Sequence, residues 1–384
     1  MPDGRGALPP GKRVLALFLS NGGSLTRWRA EAILSREMLL YLQYLRDGVF
    51  DRILVFSYDP ADHLLVRELA AAEPLYNRVE PLTPARRLTG LGAAAWGLRG
   101  VRVHRRALGA AAWIKTNQVS GAWAAVYAHR LTGAKLLFRM GYLLSRRFRL
   151  NGSTRRAALA RRMEDLGLAA ATHVVVTAED TARELEQRPA GRGKVMLAPT
   201  YVDVAQFRPA DVPDFTAPAL WVGRFEPQKN VLNMVRACQH LDLALDVAGR
   251  GSLEDAMRAI AAEEGRAPLT FRGLVPNEAL PGLMRAHSLF LLPSLHEGLP
   301  KVLIEAMACG MTCVASDIPG VTDLIEDGVS GYLIDGFEPE AIARAIRRAL
   351  AAADPAIGRN ARAVVQDRFS LQRYAAREAE LFLA

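Results

Sequence analysis

The 384-residue chain has three cysteines, six lysines against 43 arginines, and no aspartate or glutamate between Pro81 and Met163. Each shortage excludes something. Cys238, Cys309 and Cys313 show no Cys-x-x-Cys spacing, so neither a disulfide framework nor a thiolate metal site is expected, and they read as small buried hydrophobes. No histidine pair has metal-site spacing, and no protein-bound catalytic metal is expected. No apolar run approaches the roughly 20 residues a membrane-spanning helix needs. Lys12-Arg13 ahead of Val14–Leu19 imitates a short signal peptide. No small-residue cleavage site follows, and Asn21-Gly22-Gly23-Ser24 reads better as the turn after a strand. A cytoplasmic protein is therefore expected.

The acid-free stretch carries seventeen arginines and lysines. With a net charge of +9, the remainder carries 9 − 17, or −8. Such segregation makes a local field for an anionic partner. Three partners suit it: an anionic membrane surface, a lipid-diphosphate or acidic-glycan acceptor, or nucleic acid. Trp96, Trp113 and Trp123 lie among the arginines, the composition of interfacial anchoring. No nucleic-acid motif accompanies the charge, so nucleic acid is not expected. The plain alternative is a solvated basic face in a chain that uses arginine for most of its cations.

Apolar runs alternate with helical patterns almost from the start. Residues 13–20 read as a buried strand, Trp28–Leu45 as an amphipathic helix and Arg52–Phe56 as a second strand. The Ala- and Arg-rich middle, roughly 85–165, reads as mainly helical with a strand at Lys135–Phe138. Strands are expected at His173–Thr177 and Lys194–Ala198, and a proline-rich linker from Asp203 to Pro218. In the second half, strands are expected at 219–223, 243–248, 269–272, 288–292 and 311–315. Residues 361–384 read as one amphipathic helix. The alternation implies an α/β protein with parallel sheets covered on both sides by helices.

Three segments of the second half carry chemistry. Trp221-Val222-Gly223-Arg224 ends a strand, and Phe225–Asn230, including Lys229, leads into the next helix. An Arg and a Lys at a strand's carboxyl end can grip a diphosphate from two sides. Pro293–Pro300 follows an apolar strand and opens a helix that closes at Gly310, with the proline-first, glycine-last arrangement of a capped helix. Helix starts attract anions. Glu297 and Glu305 are separated by seven residues, and Glu305 sits among Val302, Leu303, Ile304, Ala306 and Met307. A carboxylate on so apolar a helix needs hydrogen-bond donors, which sugar hydroxyls would supply.

The ordered set resembles the GT-B glycosyltransferases of the family usually called family 4, which includes sucrose and mannosyl transferases. The matching strings are Gly223-Arg224 with Lys229-Asn230, Glu297-Gly298 through Glu305-Ala306-Met307-Ala308-Cys309-Gly310, Val314-Ala315-Ser316-Asp317, and Asp327-Gly328-Val329-Ser330-Gly331-Tyr332. The match is strong over roughly 219–335 and general elsewhere. It implies two Rossmann-like domains facing across a cleft. The expected division is 1–208 on the acceptor side and 209–365 for the sugar nucleotide, with helix 366–384 a candidate to pack back on the first.

The resemblance also implies roles. Arg224 and Lys229 are placed like the diphosphate clamp, Glu305 like the carboxylate on the donor ribose, and Glu297 like the one meeting the donor sugar. Backbone amides near Gly298, Leu299 and Pro300 would assist. Gly22-Gly23 matches the glycine loop that admits the phosphates, and Gly273-Leu274-Val275 the segment that meets the nucleobase. The implied reaction transfers a hexose from a donor such as UDP- or GDP-hexose, with retention, by front-face attack. It needs no cofactor and no protein nucleophile. A lipid-linked or otherwise anionic glycan acceptor at the inner membrane face would explain the basic 81–163 region. An idle relative that binds sugar nucleotide and regulates a partner is the alternative. The His-containing motif of many relatives has no match here; Lys115-Thr116-Asn117 and Arg139–Tyr142 occupy that region, and Asp323 stands where relatives often have Glu.

Overall fold

The structure, a computed structural model, describes residues 13–141, 143–150, 152–212 and 214–383. Lys12, Tyr142 and Pro213 lie outside the described residues. Contacts divide the chain into two units, Met1–Pro199 with Ala375–Ala384, and Thr200–Tyr374.

In the first unit the chain runs β1 (Val14–Phe18), α1 (Leu25–Ala30), α2 (Leu34–Arg46), β2 (Arg52–Phe56), α3 (Asp62–Ala72), β3 (Val79–Leu82), α4 (Gly90–Val103) and α5 (Arg105–Leu108). It continues with β4 (Trp113–Thr116), α6 (Ala122–Thr132), β5 (Lys135–Met140), α7 (Leu144–Leu150), α8 (Thr154–Ala170), β6 (His173–Val176), α9 (Glu179–Glu186) and β7 (Val195–Leu197). The seven strands are parallel, in the order β3-β2-β1-β4-β5-β6-β7.

The second unit has β8 (Ala219–Arg224), α10 (Val231–His240), β9 (Leu245–Arg250), α11 (Glu254–Glu264), β10 (Leu269–Gly273), α12 (Leu280–Arg285) and β11 (Leu289–Leu292). Then come α13 (Lys301–Ala308), β12 (Thr312–Ser316), β13 (Tyr332–Ile334), α14 (Pro339–Ala352) and α15 (Pro355–Arg368). Its six parallel strands are ordered β10-β9-β8-β11-β12-β13. Both sheets start in the middle, wind to one edge, then return and wind to the other, the doubly wound arrangement. Helices cover both faces, which is why the strands read as near-continuous apolar runs.

Four expectations need correction. The helix expected over Trp28–Leu45 is two helices, parted at Ala32, whose φ of 55° leaves the helical region. The middle is mainly helical, as expected, but it holds a strand besides the one at Lys135–Phe138. β4 lies at the sheet's centre beside β1, hidden in the sequence because alanines precede it and Lys115 interrupts its apolar run. The edge strands β3 and β13 are too short to stand out. The final helix is also two, α15 and α16 (Leu371–Leu383), separated where Val202 bridges Ser370.

From Ala375 onward α16 belongs to the first unit. Phe382 packs its ring 5.0 Å from Phe50 and 5.3 Å from Trp113, whose indole N–H donates to the Phe382 carbonyl at 3.0 Å. Deeper in, Lys115 of β4 meets Glu378 of α16, with both side chains fully buried. Tyr44 donates its hydroxyl to the same carboxylate, and the Lys115 ammonium lies 5.3 Å from the ring centre of Tyr41. Loss of water lowers the Lys115 ammonium well below its ordinary value and pushes the Glu378 carboxyl up to about 8. Removing one partner of such a pair costs about 3–5 kcal/mol, whereas replacing both with apolar groups is close to neutral. Lys115→Met alone is therefore expected to lower the melting temperature of the first unit by several degrees. Lys115→Met with Glu378→Leu should recover most of that in calorimetry.

Candidate functional site

In a doubly wound sheet, ligands bind beyond the carboxyl ends of the strands, where the winding direction reverses and neighbouring loops diverge. In the second unit that reversal lies between β8 and β11, paired at Leu220 and Phe290. The two loops leaving this point are the two that carry Arg224 with Lys229, and Glu297.

The β8 loop turns through a short 3₁₀ segment, Pro227–Lys229, and enters α10 from Asn230, which takes the left-handed conformation at φ 54°. Its side-chain amide donates to the Phe337 carbonyl at 2.8 Å and so anchors the turn. The β11 loop is tied to it three times. The Leu295 N–H donates to the Gln228 carbonyl at 2.8 Å, and the Gln228 side-chain amide to the His296 carbonyl at 2.9 Å. The Lys229 ammonium meets the Glu297 carboxylate at 2.6 Å, with side chains 17% and 9% exposed. A charge-assisted bond this sheltered fixes both groups in place.

Arg224 ends β8 in the open, in register with Arg250 at the end of β9. Arg250 went unnoticed in the sequence, and only the strand register brings the two cations together. Gly298 is exposed, Leu299 half-buried and Pro300 buried. Pro300 is the N-cap of α13 and has no N–H, so the expectation of an amide donor there is corrected. Glu305 lies inside α13, 4% exposed. Leu274 stands apart, 61% exposed after β10, beyond β9 at the sheet's edge.

Gly22 and Gly23 belong to the first unit, in the turn after β1. Gly22 has φ 75°, and a Cβ on Gly23 would lie 2.8 Å from the Ser20 carbonyl oxygen, so the turn requires both glycines. β1 and β4 are the strands at that sheet's own reversal. The buried Asp62 carboxylate already accepts the first amides of α1, those of Leu25 and Thr26, each at 2.9 Å. An anion approaching this turn therefore meets Gly22 and Gly23 rather than a helix start with unfilled amides.

Backbone close approaches brace the second unit's site. Gly249, at φ 146°, presses so near Gly223 that a Cβ would lie 1.7 Å from its carbonyl oxygen. Gly320, at φ 84°, stands in the same relation to Gly298, also at 1.7 Å. No other residue fits either position. Further from the site, toward the amino ends of the strands, Asp246 is buried between Arg272 at 2.7 Å and His287 at 2.9 Å. Burial alone would raise its carboxyl, yet the bonds from Arg272 and His287 hold it below the ordinary value.

Residues 210–363 match the family model described as glycosyl transferases group 1. The match lies within the second unit, which in sequence resembles the glycosyl transferases of group 1. Among curated relatives, a D-inositol 3-phosphate glycosyltransferase from Streptomyces avermitilis is 32% identical over 56% of this chain and 49% of its own length. The O-antigen chain mannosyltransferase B of Escherichia coli is 31% identical over 34% of this chain and 36% of its own. The chain spans about half the length of the curated relatives it matches. The fold is similar over nearly the whole chain to that of Anabaena HepE in complex with UDP. That likeness has a TM-score of 0.70, 19% identity, and coverage of 96% of this chain and 98% of the other. Sucrose-phosphate synthase from Thermosynechococcus elongatus gives 0.69, 20%, 97% and 98%.

The close approaches generate a test. Gly249→Ala and Gly320→Ala each force a methyl into a carbonyl oxygen and are expected to cost on the order of 3 kcal/mol. Gly282→Ala, an exposed helical glycine with nothing within 4 Å of its Cβ, should be neutral or slightly stabilising. Melting of the three variants checks this; wild-type melting of Gly249→Ala would contradict the packing.

Proposed function

We propose that the chain is a retaining hexosyltransferase that draws on a nucleoside diphosphate sugar, such as UDP- or GDP-hexose, and needs no metal of its own. The observation that carries this reading is the Lys229–Glu297 bond of 2.6 Å across the sheet's point of reversal. A cation fit for a diphosphate and a carboxylate fit for sugar hydroxyls stand side by side at the place where such sheets take ligands. The relatives support a donor of this class: HepE structures hold UDP and UDP-glucose. The names of an O-antigen mannosyltransferase and a lipopolysaccharide outer-core galactosyltransferase support a role in surface polysaccharide or glycoconjugate assembly.

On this reading, Arg224 and Lys229 stabilise the charge that grows on the leaving diphosphate, and Arg250, in register with Arg224, adds a third cation. The bond from C1 of the sugar to the diphosphate oxygen breaks as the acceptor oxygen closes on C1 from the same face. The acceptor's proton passes to the departing diphosphate. Glu297 orients the sugar and offsets positive charge at C1. Glu305, buried in α13, meets the ribose hydroxyls, and the backbone at Gly298 and Leu299 approaches the donor. Gly22-Gly23 and Leu274 keep their expected parts, at the phosphates and the base. The acceptor is a glycan, lipid-linked or otherwise anionic.

A thermal-shift screen against UDP, GDP, ADP and their hexose conjugates tests the donor. Ligand at 100 times its Kd stabilises the folded state by about 2.7 kcal/mol, a shift of roughly 5 °C or more for a domain of this size. One nucleotide should give that shift, and Lys229→Ala and Glu305→Ala should each weaken binding at least tenfold. No shift with any nucleotide at millimolar concentration would overturn the donor assignment. The anomeric configuration of the product, read by NMR, should match the donor's, and activity should survive a chelator.

A further inference from the structure

Helices α4, α6 and α8 lie side by side against the first unit's sheet, with α6 in the middle. α4 and α6 approach closely at Gly97, where a Cβ would lie 2.1 Å from the Trp123 indole. Arg102 of α4 lies over the Tyr127 ring of α6, 5.2 Å from its centre. The inward faces are ordinary core: Ala93, Trp96 and Val101 from α4, Ala124 and Ala128 from α6, Leu168 from α8.

The outward faces are not ordinary surface. Leu91, Leu98, Val103, Leu131, Leu159 and Leu166 are six of the thirteen large hydrophobic side chains exposed among the described residues. Leu91 is 91% exposed and Leu159 62%. They fall into stripes shared with arginine. Leu91, Leu98 and Arg102 follow one face of α4, and Arg155, Leu159, Arg162 and Leu166 one face of α8. Exposed Arg99 and Arg130 fill in around them. α4 and α6 contain no acid at all. The two on α8 are already engaged: Glu164 is buried and accepts from Ser145 and Arg188, and Asp165 pairs with Arg161 and Arg188. Scattered surface leucines need no explanation, but leucines aligned with unpaired-sign charge across three adjacent helices do.

Nucleic acid would engage the arginines and gain nothing from the leucines. An anionic bilayer engages both, arginine at the headgroups and leucine at the acyl boundary. Among the described residues no helix is long and apolar enough to cross a membrane, so the layer would lie on the surface. We propose that the outer face of α4, α6 and α8 is the surface by which the first unit docks on an anionic lipid bilayer. This inference does not rest on the donor site.

Flotation of the full chain with vesicles tests it. Binding should be at least tenfold stronger to vesicles half phosphatidylglycerol than to phosphatidylcholine alone, and should fall as salt rises. Leu98→Asn with Leu159→Asn, which leaves the charge unchanged, should reduce binding at least tenfold even at low salt, an effect that adsorption by charge alone would not give. Arg99→Gln with Arg155→Gln should weaken it and flatten the salt dependence. All four positions are exposed, and the nucleotide thermal shift in the same variants should match wild type, so failure of docking and failure of the donor reading stay distinguishable. Equal binding to both vesicle types, wild-type binding by the leucine variant, or preference for duplex DNA over vesicles would each overturn the proposal.

Discussion

The candidate site depends on the pairing of β8 with β11. Every other neighbouring pair in the second sheet follows the chain's winding outward, and its loops pass to one side. Only at this pair do the loops leave in opposite directions, which opens a crevice between the carboxyl ends of the strands. The crevice explains why residues 68 positions apart, Lys229 and Glu297, form one bond. It also explains the glycines. Gly249 packs against Gly223 and Gly320 against Gly298, so each loop is held from behind by backbone rather than by a side chain. The mouth stays clear while its walls are rigid.

The first unit solves a different problem. Its last helical element arrives from the far end of the chain and must be held against the sheet. The aromatic cluster of Tyr44, Phe50, Trp113 and Phe382 supplies apolar contact. Lys115 and Glu378 add a contact that is poor in net energy but strict in geometry. A buried ion pair tolerates neither a missing partner nor a shifted one, so it selects one docking of α16 over neighbouring registers.

The second unit was the more legible in sequence, for a physical reason. Strands buried on both faces appear as apolar runs, and the loops between them must contain glycine or proline where the backbone turns sharply. Ala219–Arg224, Leu289–Leu292 and Thr312–Ser316 meet those conditions. β4 does not. Three alanines precede it and a lysine sits inside it, because that lysine's partner is 263 residues away and leaves no local trace. The break at Ala32 was equally hidden, since nothing in the residue type announces a positive φ. At the site, the order of Arg224, Lys229, Glu297 and Glu305 was readable as a motif. The Lys229–Glu297 bond, the register of Arg250 with Arg224, and the roles of Gly249 and Gly320 were not, because each depends on which strand lies beside which.

The paired state of Lys229 bears on how a donor would be received. A lone ammonium in a half-buried crevice must hold water or a counter-ion, and both must be displaced before a diphosphate can bind. A lysine already held against Glu297 keeps its orientation, and the carboxylate keeps its own. On the proposed reading, an arriving diphosphate exchanges one oxygen anion for another at the ammonium, and Glu297 is released toward the sugar hydroxyls that come with it. The same bond thus holds both groups near where that reading needs them. Nucleotide lacking a sugar would leave Glu297 without its new partner, so the intact donor gains from an exchange that the bare diphosphate completes only by half.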